Sequence, residues 1–190
     1  MKKFLIVIVV FLFSFFSVSI AFAQSPAPAS QEAKESTESS MIDYSTFNSF
    51  EKFWPVTAGK VMGDSLYFLK TLKEDLRGLL YFSDLKKGDY NMTLSEKRLV
   101  EAEKLYLEKK DSANGQKSLQ ASQEKREKAL SLRDKAKSQG RNTTELTNRL
   151  KYSFNNQSSL LKKMESMTEG DTKSQITNNL QSLESLLQKL

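Results

Sequence analysis

The chain contains no cysteine and no histidine. The first absence excludes disulfides, thiolate nucleophiles, thiolate metal sites and lipid attachment through a cysteine. The second excludes imidazole acid–base chemistry and imidazole metal ligation. An enzyme built from this chain would have to work with carboxylates, Lys, Tyr, Ser or Thr alone. No catalytic residue, cofactor or metal site is expected. Beyond Gly63 the sequence also lacks β-branched runs of strand length. After residue 20 it has no apolar run long enough to span a bilayer. The carboxyl terminus carries no sorting motif.

Charge is plentiful but mixed. Lys and Arg number 29 against 23 Asp and Glu, a net +6 over 190 residues. The basic residues are interspersed with acids and do not form a cluster, so a solvated surface is expected and nucleic acid is not an expected partner. A partner of opposite charge, such as an anionic polymer of the cell envelope, fits the surplus.

The amino terminus reads as an address. Lys2 and Lys3 precede an apolar core from Phe4 to Ile20, and Ala21-Phe-Ala23 has the small-x-small form of an export cleavage site. Residues 1–23 are expected to be a signal peptide of bacterial style or, uncleaved, a membrane anchor. Either form places the remainder outside the cytoplasmic membrane. Residues 24–43, rich in Ser, Pro, Ala and Glu, have nothing to bury and read as a disordered spacer.

Residues 44–62 form an aromatic arm. Tyr44, Phe47, Phe50, Phe53 and Trp54 recur at spacings that gather rings on one side of a short helix, which Pro55 ends. The arm is expected either to pack its rings on the main body or to offer an interaction surface, for which Phe47, Phe50, Phe53 and Trp54 are the candidates.

The remainder is expected to be an all-α bundle of about five helices, divided into 63–139 and a carboxyl-terminal hairpin over 140–190. The first helix, about Ser65 to Phe82, is the most apolar. Leu66, Phe68, Leu69, Leu72, Leu76, Leu79 and Leu80 cover most of its circumference, so it is expected to be central and buried, with Asp64 or Ser65 as its cap. On that reading, Asp at position 72 or 76 would unfold the domain. The second helix is expected from Asp89 or Thr93 to Lys110, with Thr93-Leu-Ser-Glu96 as a capping box and Leu94, Leu99, Ala102, Leu105 and Tyr106 on one side. Asn114-Gly115 reads as a turn. The third helix, about Lys117 to Gln139, has few and mostly small apolar residues and is expected on the outside. The fourth, from Asn142, carries Leu146, Leu150, Phe154, Leu161 and Met164 on one stripe. The fifth, from Asp171 or Thr172, carries Ile176, Leu180, Leu183, Leu187 and Leu190. Both stripes suit antiparallel pairing or a coiled coil.

Two linked motifs then carry a resemblance. Gly63-Asp-Ser-Leu-Tyr-Phe-Leu-Lys-Thr-Leu-Lys-Glu is followed, after Tyr81-Phe-Ser-Asp84, by Leu94-Ser-Glu-Lys-Arg-Leu-Val-Glu-Ala102. Over about residues 56–107, and towards 139, the chain resembles domain of unknown function 5667, a family of exported or membrane-anchored bacterial proteins. The resemblance implies an extracytoplasmic helical domain and brings no activity or catalytic residues. Tyr67 and Arg98 join the candidate interaction surface. Arg98 with Glu101, or Lys73 with Glu74 and Arg77, would form a charged cluster against Tyr67, serving either as a small pocket or as an ion-pair network that holds the first hairpin.

The leading functional expectation is a non-enzymatic interaction or structural module of the cell envelope that binds an envelope protein or polymer. Membrane contact is expected only through an uncleaved signal. The alternatives are a periplasmic holdase-like chaperone and, more remotely, a carboxylate-based envelope hydrolase.

Overall fold

The computed structural model describes residues 43–190. The expected signal segment, and the spacer as far as residue 42, lie outside the described residues. Those residues hold six α-helices and no β-strand: α1 Ser49–Lys52, α2 Tyr67–Leu79, α3 Asp84–Glu103, α4 Ser112–Ser138, α5 Thr144–Ser166 and α6 Gly170–Leu187. A 3-10 turn at Tyr44–Thr46 precedes α1, and a π-helical turn at Lys104–Glu108 extends α3. The all-α expectation holds.

The last four helices make the bundle. Helix α3 lies beside α4 and α5, and α6 lies beside the same two, so α3 and α6 occupy opposite corners. The stripes of α5 and α6 supply a large part of the core. Leu150, Phe154, Leu161 and Met164 are fully enclosed, as are Ile176 and Leu183. Leu99, Ala102 and Leu105 enter from the α3 side.

The expected placement of the first and third helices is reversed. The leucines of α2 are exposed and its buried residue is Glu74. Helix α4, expected outside, buries Ser118, Leu119, Ser122, Arg126, Ala129, Leu130, Leu132 and Arg133 between α3 and α6. Small side chains let neighbouring backbones approach, and Ser122 and the two terminal nitrogens of Arg126 find partners, although Ser118 Oγ and Arg126 Nε have none among the described residues; burial here does not need a leucine stripe. The Ser122 hydroxyl donates to the Ser95 carbonyl of α3 at 2.7 Å. Arg126 is fully enclosed and donates to Gln157 Oε1 of α5 at 3.1 Å and to Asn179 Oδ1 of α6. Its partners are neutral, and burial pulls the guanidinium down to about 10.

Helix boundaries differ for related reasons. Helix α3 begins at Asp84, capped by the Ser83 hydroxyl, which accepts from Lys86 N–H. The Thr93–Glu96 segment is therefore mid-helix, and its Glu96 carboxylate accepts from Ser153 of α5 instead of capping. Gly88 lies inside α3, where a Cβ would stand 2.9 Å from Leu146 Cδ2 and 3.4 Å from the Ala129 carbonyl. It marks a close approach of three helices. Asn114 and Gly115 lie in the first turn of α4, whose cap is the Asp111 carboxylate, accepting from Asn114 N–H. A Cβ on Gly115 would meet the Tyr106 ring at 2.8 Å. The π turn seats that ring, and the Tyr106 hydroxyl donates to Gln175 Oε1 of α6 at 3.0 Å.

Candidate interaction surface

Helix α2 begins after a turn in which Gly63 (φ +87°) and Leu66 (φ 66°) both take the left-handed region. Neither Asp64 nor Ser65 caps it; the residue before the helix is Leu66, with no side-chain cap. Asp64 instead accepts from Val61 N–H at 2.9 Å and pairs with Lys109. Those two interactions, Lys109 first, hold its carboxyl below the usual range. The incoming chain is anchored by Val61, which is fully buried.

Tyr67, Lys70 and Glu74 recur every three or four residues, so they share one side of α2. That side meets Lys97, Arg98 and Glu101 on α3. Tyr67 donates its hydroxyl to Glu101 Oε2 at 3.1 Å. Lys70 and Arg98 both donate to Glu101 Oε1, Arg98 at 2.6 Å. The other arm of Arg98 pairs with Glu74, which also pairs with Lys97. Lys70 donates further to the Ala58 carbonyl at 2.6 Å and to the Lys60 carbonyl, which ties down the segment before α2. Both Arg98 and Lys70 lie over the Tyr67 ring, at 5.7 and 5.5 Å from its centroid. Near its far end, α2 is held by the Tyr90 hydroxyl, which donates to the Glu74 carbonyl at 2.8 Å.

The electrostatics follow from burial and proximity. Burial and the neighbouring Glu101 carboxylate push the Tyr67 hydroxyl well above its usual range. Burial opposes the charge on Arg98, but Glu101 and Glu74 together hold its pKa above the ordinary value. Burial lowers Lys70 despite its contact with Glu101.

With its polar side committed to α3, α2 turns its apolar side outward. Phe68, Leu69, Leu72, Leu76 and Leu79 are 47–72% exposed, and Phe82 just beyond the helix is 89% exposed. Leu69, Leu72, Leu76 and Leu79 follow a strict 3-4-3 spacing, the narrow seam by which one helix pairs with another. Beside this seam lies a groove of about 470 Å³ with Leu79, Leu94 and Leu132 among its lining. Lys87, Lys125, Lys128 and Lys135 also line it, against Glu74, Asp75 and Asp84. Glu74 is taken up by Arg98 and Lys97, and Asp84 by Lys135. Lys87, Lys125 and Lys128 then face Asp75, and the groove is electropositive.

The structure brings Tyr67 and Arg98 into one network. It joins Arg98 to Glu101 and adds Glu74, while Lys73 forms no ion pair among the described residues and Arg77 lies over Tyr90 at 5.9 Å. The network therefore has the form of the ion-pair arrangement that holds the first hairpin. The four candidate aromatics of the arm do not share one helix face. Phe53 is buried in the core and Phe47 packs edge-on against it at 6.2 Å. Phe50 and Trp54 form a second edge-on pair at 5.0 Å, and both are exposed. Lys70, Lys97 and the outward seam were missed by the sequence reading. The spacing Tyr67, Lys70, Glu74, a polar stripe opposite the leucines, was the signal for Lys70 and the seam; Lys97 had none.

A family model described as "Domain of unknown function (DUF5667)" matches residues 59–190. The match extends beyond the two motifs to the last helix of the bundle. No curated protein and no solved structure matches the chain.

Proposed function

We propose that this chain, which belongs to the DUF5667 family, is a non-enzymatic helical interaction module of the cell envelope that pairs α2 with an amphipathic helix of a partner protein. The observation that carries the reading is the exposed seam Leu69, Leu72, Leu76 and Leu79, held outward by the network on the opposite side of the helix. Contiguous exposed apolar surface is uncommon on a monomer and marks a place where something binds. The electropositive groove beside the seam selects for acidic flanks on the partner helix and acts against a second copy of the same basic surface. Location outside the cytoplasmic membrane rests on the Lys2–Ala23 export signal in the sequence.

The test is titration of the purified chain with two designed peptides of leucine heptads, one flanked by Glu and one by Lys, followed by calorimetry and sedimentation. The proposal expects saturable binding of the Glu-flanked peptide, little binding of its Lys-flanked twin, and loss of binding in Leu72→Glu and Leu76→Glu. Self-association through α2 would replace the acidic partner with a second copy. Binding of neither peptide by a monomeric chain would remove the pairing role. A chain that slowed aggregation of unfolded proteins without saturable peptide binding would be a holdase-like chaperone instead. Export is tested separately by fractionating cells and asking whether the chain is open to added protease.

A further inference from the structure

A second cleft, about 450 Å³, opens between the Lys52–Val56 segment and the sides of α3 and α5. It is separate from α2 and independent of the pairing role proposed above. Buried Phe53 and Met92 lie at its base. Trp54 and Tyr152 line it with exposed rings, 67% and 65% accessible. Trp54 is not a loose side chain. Its neighbour Phe53 is fixed in the core, and Phe50 packs edge-on against the indole at 72°. The exposed ring therefore stands beside the cleft on a backbone anchored by Phe53, with Phe50 against one side.

The polar groups of the cleft come from three elements. Lys52 lies on α1, Thr93 and Glu96 on α3, and Asn148, Arg149 and Ser153 on α5. Glu96 Oε1 accepts from the Ser153 hydroxyl at 2.6 Å, and Glu96 Oε2 accepts no hydrogen bond among the described residues. That second oxygen is not among the enclosed unpaired atoms, and Glu96 lines the cleft. Burial raises the Glu96 carboxyl above its usual range, against the pull of Ser153 and Arg149.

This combination narrows the ligand chemistry. Flat, amphipathic rings offer stacking surface at little cost in side-chain entropy. The polar set mixes a carboxylate acceptor with amide, ammonium and guanidinium donors, so it matches a neutral ligand that both donates and accepts. An amine would meet Lys52 and Arg149, and an anion would meet Glu96. A pyranose presents C–H groups on its faces and hydroxyls around its edge, which fits both parts of the lining.

We propose that this cleft binds a saccharide, with Trp54 and Tyr152 stacking on the faces of sugar rings and Glu96 accepting hydrogen bonds from their hydroxyls. Asn148 and Lys52 donate to sugar oxygens. Glu96 is the one carboxylate among the lining residues, whereas glycoside cleavage commonly uses two that flank the bond. The cleft therefore holds the sugar without cutting it.

Trp54 is the one tryptophan of the chain, so its fluorescence reports on this cleft alone. The purified chain is titrated to about 10 mM, well into the range of weak binding, with soluble tetrasaccharides of β-1,4-linked glucose, β-1,4-linked N-acetylglucosamine and α-linked mannose. Adenosine and tetramethylammonium serve as planar and cationic comparisons. A saturable change in emission is expected with at least one sugar. Tyr152→Ala and Glu96→Gln should each weaken it by about tenfold or more, the scale of one lost contact to a charged group or ring. Tyr152 is exposed, so its removal leaves the helical circular dichroism unchanged and keeps the test clear of misfolding. The proposal is overturned if no sugar gives a saturable change. It is equally overturned if the change survives both substitutions, or if only adenosine or tetramethylammonium produces it.

Discussion

Leu72 and Leu76 distinguish the two placements of α2. On the sequence reading they are core residues, and Asp at either site buries an unpaired charge and unfolds the domain. In the structure they are 51% and 55% exposed. Full burial of a leucine is worth about 1.5–3 kcal/mol, so half burial leaves roughly 1 kcal/mol to lose. Asp is also a poorer helix former than Leu by about 0.5 kcal/mol. The expected cost is roughly 1–1.5 kcal/mol per site, because the new carboxylate stays in water. For a domain of this size that corresponds to a fall in Tm of about 3–6 °C. Leu150, fully buried on α5, supplies the contrast. Leu150→Asp leaves a cavity and an unpaired buried charge, with a cost above about 4 kcal/mol. Thermal and guanidinium unfolding of the purified chain, followed by far-ultraviolet circular dichroism, measures all three. If Leu72→Asp or Leu76→Asp loses its cooperative transition as Leu150→Asp does, α2 is a core helix and the outward seam is wrong.

Three further outcomes follow from the contacts. Glu101→Gln strips Lys70 and Arg98 of a shared buried carboxylate, a loss of about 3–5 kcal/mol. Hydrogen exchange should show α2 losing protection first, and unchanged protection of α2 would contradict the anchoring role. Gly115→Ala forces a methyl against the Tyr106 ring at 2.8 Å, which should cost about 1–3 kcal/mol in denaturant melts. Tyr106 is pushed up from 10.0 to about 12 by burial. The folded chain therefore keeps its phenol neutral where the unfolded chain ionises. The associated stabilisation is present below pH 10 and is lost as pH rises towards 12. Tyr67 titrates in the same direction, so the measurement is a difference in slope: Tyr106→Phe should flatten the fall in stability between pH 10 and 12, and equal slopes would refute the assignment.

What the sequence made legible depended on how each helix buries itself. Helices α5 and α6 bury large apolar side chains at helical spacing, so Leu146, Leu150 and Phe154 were readable as core from position alone. The same holds for Leu94, Leu99 and Ala102 on α3. Helix α4 buries Ser118, Ser122 and Arg126, and no apolar pattern distinguishes a buried serine from a solvated one. Its centrality comes from partners distant in sequence, such as Gln157 and Asn179 for Arg126. Gly88 and Gly115 stood where loops were expected, yet each sits inside a helix at a close contact that a side chain would block. At the candidate surface, the Arg98–Glu101 pair was readable because the two are three residues apart on one helix. Lys70 and Glu101 are 31 residues apart and depend on the hairpin that brings them together.

The outward direction of the α2 leucines has a physical cause in α3. A half-turn of α2 about its axis would move Leu69, Leu72 and Leu76 towards the bundle and gain apolar burial. It would also carry Tyr67, Lys70 and Glu74 into water and leave Arg98 and Glu101 facing leucines. Arg98 is 6% exposed and Glu101 fully enclosed. Stranding buried charges of this kind costs several kcal/mol each, more than the half-burial of a few leucines returns. Arg98 and Glu101 also pair with each other, but that contact alone leaves Glu101 without the Tyr67 and Lys70 donors and Arg98 without Glu74. The network therefore fixes the rotation of α2 as well as its attachment, and the seam stays open to a partner. Salt should loosen this orientation only weakly, because the pairs that set it are buried and poorly screened.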